Sequence, residues 1–265
     1  MNFSFVQITD HHLTAAETDR VHGCPTWQTF RAVLRHIAHT IGPQIDFIVS
    51  TGDLVEAASS ETYRAIGQRL ALHNTAASAP GPVRISAEGL RDFPLYILPG
   101  NHDDRDTFFS SLFPASPPRL LLNATFRHKG IQFICLDWGA DNKAVAQSEM
   151  LDFLERALAT QQPSIILMHH QVVPIGIGWL DRFIADEVNR FWDIVADKQI
   201  LGIVCGHVHT TYEQVINGIP VYGLRATAFA FAPEDEPVIR QLPPQYRLIT
   251  MRDGLLTTAV FEVPL

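Results

Sequence analysis

Five short apolar runs, at residues 3–8, 47–50, 95–98, 165–168 and 200–205, each lead directly into a cluster of polar residues. The clusters are Asp10-His11-His12, Gly52-Asp53, Gly100-Asn101-His102-Asp103, His169-His170 and Gly206-His207-Val208-His209. Runs this short, apolar throughout and bounded by turn residues, read as strands buried on both faces. In open α/β sheets, ligands gather beyond the carboxyl ends of such strands. The chain thus delivers five sets of imidazole, carboxylate and amide side chains to one rim. One such set arises easily by chance, whereas five mark a metal site.

The segments between these runs supply helices. Trp27, Phe30, Val33, Leu34, Ile37 and Ile41 fall at helical spacing, and Gly42-Pro43 ends that helix. A second helix is expected over residues 61–73 and a short one over 105–113. Residues 74–92 hold Ala-Pro-Gly-Pro and two further glycines, and read as an insertion loop near the site. Residues 126–133 form a hairpin, which a purely parallel sheet would not contain. Ser148 is a natural N-cap for a helix through Thr160, and residues 180–197 have the pattern of another amphipathic helix. From about residue 210 the chain returns to short strands. The expected fold is α/β: two mixed β-sheets packed as a sandwich and flanked by helices, in one domain over residues 1–265.

Composition narrows the functional classes. A chain that is 46% hydrophobic and 18% charged has ample material for a core and no signature of disorder. The net charge of −8 argues against binding long nucleic acids through a broad basic surface. Cys24, Cys135 and Cys205 are too few and too scattered for a disulfide framework or a cysteine-rich zinc module. No run approaches the length of a membrane span, and no secretory pattern opens the chain, so the expected location is cytoplasmic.

The donor set specifies the chemistry. Asp10 and His12, two residues apart at a strand end, can turn to the same ion. Asp53 follows a glycine that lets the backbone bend, and its two oxygens can bridge two cations. Asn101 adds a neutral oxygen, and His169, His207 and His209 add imidazoles. This inventory suits two ions with mixed nitrogen and oxygen ligands: Mn, Fe, Zn or Co. Two cations about 3.5–4 Å apart activate a water and clamp phosphoryl oxygens, which answers the charge problem of hydrolysing an anionic phosphate ester. His102 is left over among the ligands, and its proton suits a phosphoryl oxygen or a departing alkoxide. Asp103 can hold that ring's orientation, or cap the helix that follows.

In this order the motifs resemble those of the calcineurin-like metallophosphoesterases: Asp-x-His, Gly-Asp, Gly-Asn-His, His, Gly-His-x-His. The resemblance implies Asp10, His12 and His209 on one metal, Asn101, His169 and His207 on the other, Asp53 bridging, and His102 as the catalytic group beside them. Gly23-Cys24-Pro25-Thr26-Trp27, Leu136-Asp137, Ile177-Gly178-Trp179-Leu180-Asp181 and Arg225 through Phe231 are similar to the branch that contains class III cyclic nucleotide phosphodiesterases and glycerophosphodiesterases. Two features depart from that branch: Gln171-Val172 stands where Pro-Pro is usual, and the 74–92 insertion has no counterpart.

The resemblance therefore implies hydrolysis of a small phosphodiester, a cyclic nucleotide or a glycerophosphodiester, by metal-activated hydroxide. The alternatives are a phosphomonoesterase or nuclease on the same centre, or a metal-binding scaffold. An association of identical chains is compatible with the branch. His11 and His170, each beside a ligand, are the candidate substrate contacts, whereas His22, His36, His39, His73 and His128 read as uninvolved. Phe229 and Phe231 read as core or as an oligomer contact ahead of a base- or alkyl-binding wall, and Trp179 fits a loop over the site as well as it fits the core.

Overall fold

A computed structural model describes residues 2–74, 82–114 and 122–265. The five runs are strands, and they sit at the centres of two sheets. In the first sheet Phe3–Ile8, Phe47–Thr51 and Phe93–Leu98 run parallel. Gln245–Arg252 and Leu255–Glu262 extend this sheet antiparallel on one side, and Val83–Ile85 and His73–Asn74 on the other. In the second, Ile219–Gly223, Ile200–Cys205, Ser164–Met168 and Ile131–Leu136 run parallel, with Tyr212–Ile216 and Ala124–His128 antiparallel at the edges. Both sheets are mixed, as the hairpin pattern requires.

The sheets face one another across an apolar core. Phe5 and Phe47 of the first sheet each meet Phe133 of the second edge-on, with ring centroids 5.4 Å apart. Aromatic pairs of this geometry add about 0.5–1.5 kcal/mol beyond their burial. Helices cover the outer faces. Thr26–Thr40 buries Trp27, Phe30, Val33, Leu34 and Ile37, its helical stripe, against the first sheet. Ser148–Leu158 buries Met150, Leu151, Leu154 and Leu158 against the second. Toward the rim the buried Gln7 amide ties the two sheets together, donating to Cys205 O at 2.8 Å and to Thr51 Oγ1 at 3.0 Å.

Four expectations about helices and loops need correction. The helix expected over 61–73 runs Ser60–Arg69, and His73 begins a strand. Ser148 is the first residue of its helix; Gln147 holds the cap position, without a side-chain cap. Residues 180–197 are not one helix but a short turn, Gly178–Asp181, and a helix, Val188–Val195. The Asp181 carboxylate folds back to accept from the backbone N–H groups of Ile175 and Gly176, and Phe183 O accepts from Ala144 N. Those bonds draw the intervening chain out of the helical path. In the expected insertion loop, Val83–Ile85 is a short strand between Phe93–Leu98 and the edge strand His73–Asn74, with Val83 and Ile85 in the core, too short to show a period in sequence. The following connection lies at the amino end of Phe93–Leu98, opposite the ligand rim. The remainder, 75–81, lies outside the described residues.

Candidate metal centre

The five strand ends meet because small residues let them. Gly52 has φ +108°, and a Cβ there would run into the His169 ring. A Cβ on Gly206 would strike Thr9 Oγ1 and the Asp10 carboxylate. Asp10, His12, Asp53, His207 and His209 all adopt left-handed φ values, between +47° and +71°. Non-glycine residues avoid this region, and such strain concentrates at functional sites.

All seven expected ligands converge, and six of them are buried; Asn101 is half-buried. Donor atoms of Asp10, His12, Asp53 and His209 lie within 4.8 Å of one another. His12 Nε2 is 3.2 Å from His209 Nε2, which is 3.3 Å from Asp10 Oδ1. Beside this group, Asn101 Oδ1 is 2.9 Å from both His169 Nε2 and His207 Nδ1. Asp53 Oδ2 lies between the two groups, 3.6 Å from His12 Nε2 and 3.4 Å from His169 Nε2.

The orientation of the imidazoles tests whether metal fits. Nδ1 of His12 donates to Glu56 Oε2, that of His169 to Thr51 O, and that of His209 to Phe229 O, each at 2.8 Å. A neutral imidazole has one N–H, so each of these rings, when neutral, offers its Nε2 lone pair to the centre. Lone pairs opposed at such distances repel one another unless positive charge lies among them. Burial alone would lower the His169 imidazole, yet the Asp53 carboxylate raises it to about 9. Burial would likewise raise the Asp53 and Asp10 carboxyls, but the imidazoles, His169 foremost at Asp53 and His209 at Asp10, hold both below the ordinary carboxylate range. The cluster is built to enclose cations, and its oxygen and nitrogen donors fit two.

The flanking residues fall into place less simply. His102 lines the cavity above the ligands; its Nδ1 donates to Glu56 O at 2.8 Å, and Glu56 Oε2 is 3.8 Å away. Burial would lower this ring, but Asp53 and Glu56 raise it above the ordinary imidazole value. Asp103 does not orient it, and Asp104 rather than Asp103 caps the next helix, through Thr107 N. Asp103 turns into the protein, where it accepts from Leu54 N, Gly100 N and the Tyr63 hydroxyl. Burial and the Asp53 charge raise its carboxyl to about 6.

The expected substrate contacts are also committed to the protein. His11 is fully buried, bonded to Thr227 Oγ1 at 2.7 Å and Ser50 Oγ at 2.9 Å, and burial lowers it to about 3. His170 donates to Asp141 O at 2.9 Å, and burial together with His169 lowers it to about 4. Both rings are neutral and turned from the cavity, because alternate residues at a strand end face opposite ways.

Sequence reasoning missed two side chains and undervalued five. Glu56 holds His12, and Asn142 accepts from Asn101 Nδ2 at 3.0 Å, which turns the amide oxygen inward. No motif contains either, though Glu56 follows Asp53 by three residues. His22, Trp179, Phe183, Phe229 and Phe231 line the cavity over the ligands.

A two-sheet α/β sandwich with two groups of metal-ligand donors and one aspartate between them at the strand ends fits a dimetal phosphoesterase centre. The family model for calcineurin-like phosphoesterases matches residues 3–211, and the chain belongs to that family. It is 29% identical to the 3',5'-cyclic adenosine monophosphate phosphodiesterase CpdA of Escherichia coli K12, over 97% of this chain and 89% of that protein. It is 25% identical to a 3',5'-cyclic-nucleotide phosphodiesterase of Nostoc, over 98% of this chain and 92% of that one. Among solved structures it resembles a dimetal phosphatase from Danio rerio, with TM-score 0.64 and 13% identity over 99% of each chain, a likeness of fold.

Proposed function

We propose that this chain is a binuclear metal-dependent phosphodiesterase acting on a small diester, a cyclic nucleotide such as its relatives are named for. The observation that carries the reading is Asp53 Oδ2, set between two groups of inward-facing donors. Asp10, His12 and His209 would hold one ion, Asn101, His169 and His207 the other, with Asp53 common to both. Bound ions of this kind supply Lewis acidity that neutralises phosphoryl oxygens and makes water a usable nucleophile near neutral pH. Mn, Fe, Zn or Co all suit such mixed donors.

The protein's own groups do the rest. His102 stands at the cavity wall with its Nδ1 donating to Glu56 O, which supports a role for its Nε2 in protonating a departing alkoxide. A diester is favoured over a monoester because no lysine or arginine lines the cavity among the described residues to meet the second charge of a monoester. Three cysteines, all buried and free, accord with a reducing compartment, and we propose the cytoplasm.

The deciding experiment compares initial rates on bis-(p-nitrophenyl) phosphate and p-nitrophenyl phosphate with Mn²⁺-reconstituted and chelator-treated protein, followed by 3',5'-cyclic AMP. A metal-dependent preference for the diester is expected. Preference for the monoester, or equal rates without metal, would overturn the reading.

A further inference from the structure

Two arms of chain bring aromatic rings over the metal centre. One arm, 178–183, contributes Trp179 and Phe183; the other, 229–231, contributes Phe229 and Phe231. The Phe231 ring lies 4.5 Å from the His209 ring at 30°, and Phe183 lies 5.6 Å from His207. Trp179 joins the arms, meeting Phe231 edge-on at 4.8 Å and Phe183 at 6.1 Å. Phe183 and Phe231 are only half-buried, on the apolar side of a cavity whose other side holds the polar donors.

Both arms are fixed by the protein itself. Thr227 N donates to Thr9 O and Thr227 Oγ1 meets the buried His11, which anchors the second arm to the first strand. The Asp181 carboxylate and the Ala144–Phe183 backbone bond anchor the first. An apolar surface held rigid beside a reactive centre spends little entropy when a ligand covers it.

We infer that these aromatic walls form a subsite for a planar aromatic substituent of the diester, and that Phe183 and Phe231 set the preference for such esters over aliphatic ones. The inference rests on the phosphodiesterase reading above. Rings offer π-surface to any nucleobase, and stacking tolerates base identity. Of the side chains these arms bring to the cavity, only Trp179 carries a hydrogen-bonding group, its buried indole N–H, so the arms read a ring's face and not its edge. A quaternary ammonium also favours aromatic walls. Here, however, two carboxylates among seven donors would leave a pair of divalent ions with a net positive charge, which repels a cation beside it.

The test uses Mn²⁺-loaded full-length protein and three substrates: 3',5'-cyclic AMP, 3',5'-cyclic GMP and glycerophosphocholine. We expect kcat/KM for the two cyclic nucleotides to agree within about fivefold, and both to exceed that for glycerophosphocholine by about tenfold or more. Phe231→Leu and Phe183→Leu keep apolar volume but remove π-surface. Each should lower the cyclic nucleotide to glycerophosphocholine ratio by about tenfold, mainly through KM, and weaken 5'-AMP retention in equilibrium dialysis. Phe231→Tyr should restore both, with the metal content of every variant unchanged. A wild type that prefers glycerophosphocholine, a large preference between the two bases, or Leu variants with an unaltered ratio would overturn the subsite and leave the phosphodiesterase reading intact. Failure of the wild type on every diester would overturn the reading beneath it.

Discussion

Glu56 offers the sharpest test of how the centre is assembled. Its Oε2 accepts the Nδ1 proton of buried His12 at 2.8 Å, and no other hydrogen bond among the described residues engages that nitrogen. Replacing Glu56 by Ala would leave His12 free to carry its proton on either nitrogen and to rotate. Carboxylates that orient a ligating histidine contribute about 10–100-fold in metal affinity, or about 1.4–2.8 kcal/mol. The loss should be confined to the ion shared by Asp10, His12 and His209, because His169 is oriented independently by Thr51 O and Asn101 by Asn142. A Mn²⁺ titration followed by calorimetry should therefore show two classes of site in Glu56→Ala, one displaced by the stated factor and one unmoved. Glu56→Gln, which keeps an acceptor but not the charge, should fall between. Equal weakening of both sites would mean that Glu56 acts on the fold at large. Affinities within about threefold of wild type would show that His12 needs no orienting partner.

Asp53→Asn should bind metal poorly and lose nearly all turnover, whereas His102→Ala should keep its metal by elemental analysis and lose about 10²–10⁴-fold in rate; a metal-free His102→Ala would refute its assignment. Asp137→Ala strips the main partner from the buried Arg105, whose guanidinium also holds the carbonyls of Gly100, Asp103 and Gly139 behind Asn101. An unpaired buried charge costs about 3–5 kcal/mol, so thermal unfolding should drop by about 10 °C, and a change under about 2 °C would contradict the structure. Cys135 is buried and its thiol is pushed up to about 12. A native protein at pH 8 should release no thiolate to Ellman's reagent until it is unfolded, and prompt labelling would refute this burial.

What could be read from the chain divides along a physical line. The central strands, and the seven candidate donors that converge at their ends, were legible because each is a local event: an apolar run, a turn, a donor. Side chains defined by a partner distant in sequence were not. Glu56 and Asn142 gain their roles from His12 and Asn101, 44 and 41 residues away, and nothing local marks them. Phe183, Phe229 and Phe231 carry the same apolar signal whether they face a core or a cavity, and the helical period across 180–197 gives no hint that Asp181 and Phe183 are bonded elsewhere. The misjudged neighbours, His11, Asp103 and His170, share one cause. Each sits next to a ligand or to His102, and adjacency in sequence was taken for adjacency in the site. At the end of a strand, successive side chains leave on opposite faces. Beside Asp10, His102 and His169 the next side chain is turned into the protein, to bond Thr227, Tyr63 or the Asp141 carbonyl, whereas Asn101 and His102 both face the cavity. His11, Asp103 and His170 therefore brace the loops that carry the ligands. Replacing any of them should register first in stability and metal retention, and only through these in turnover.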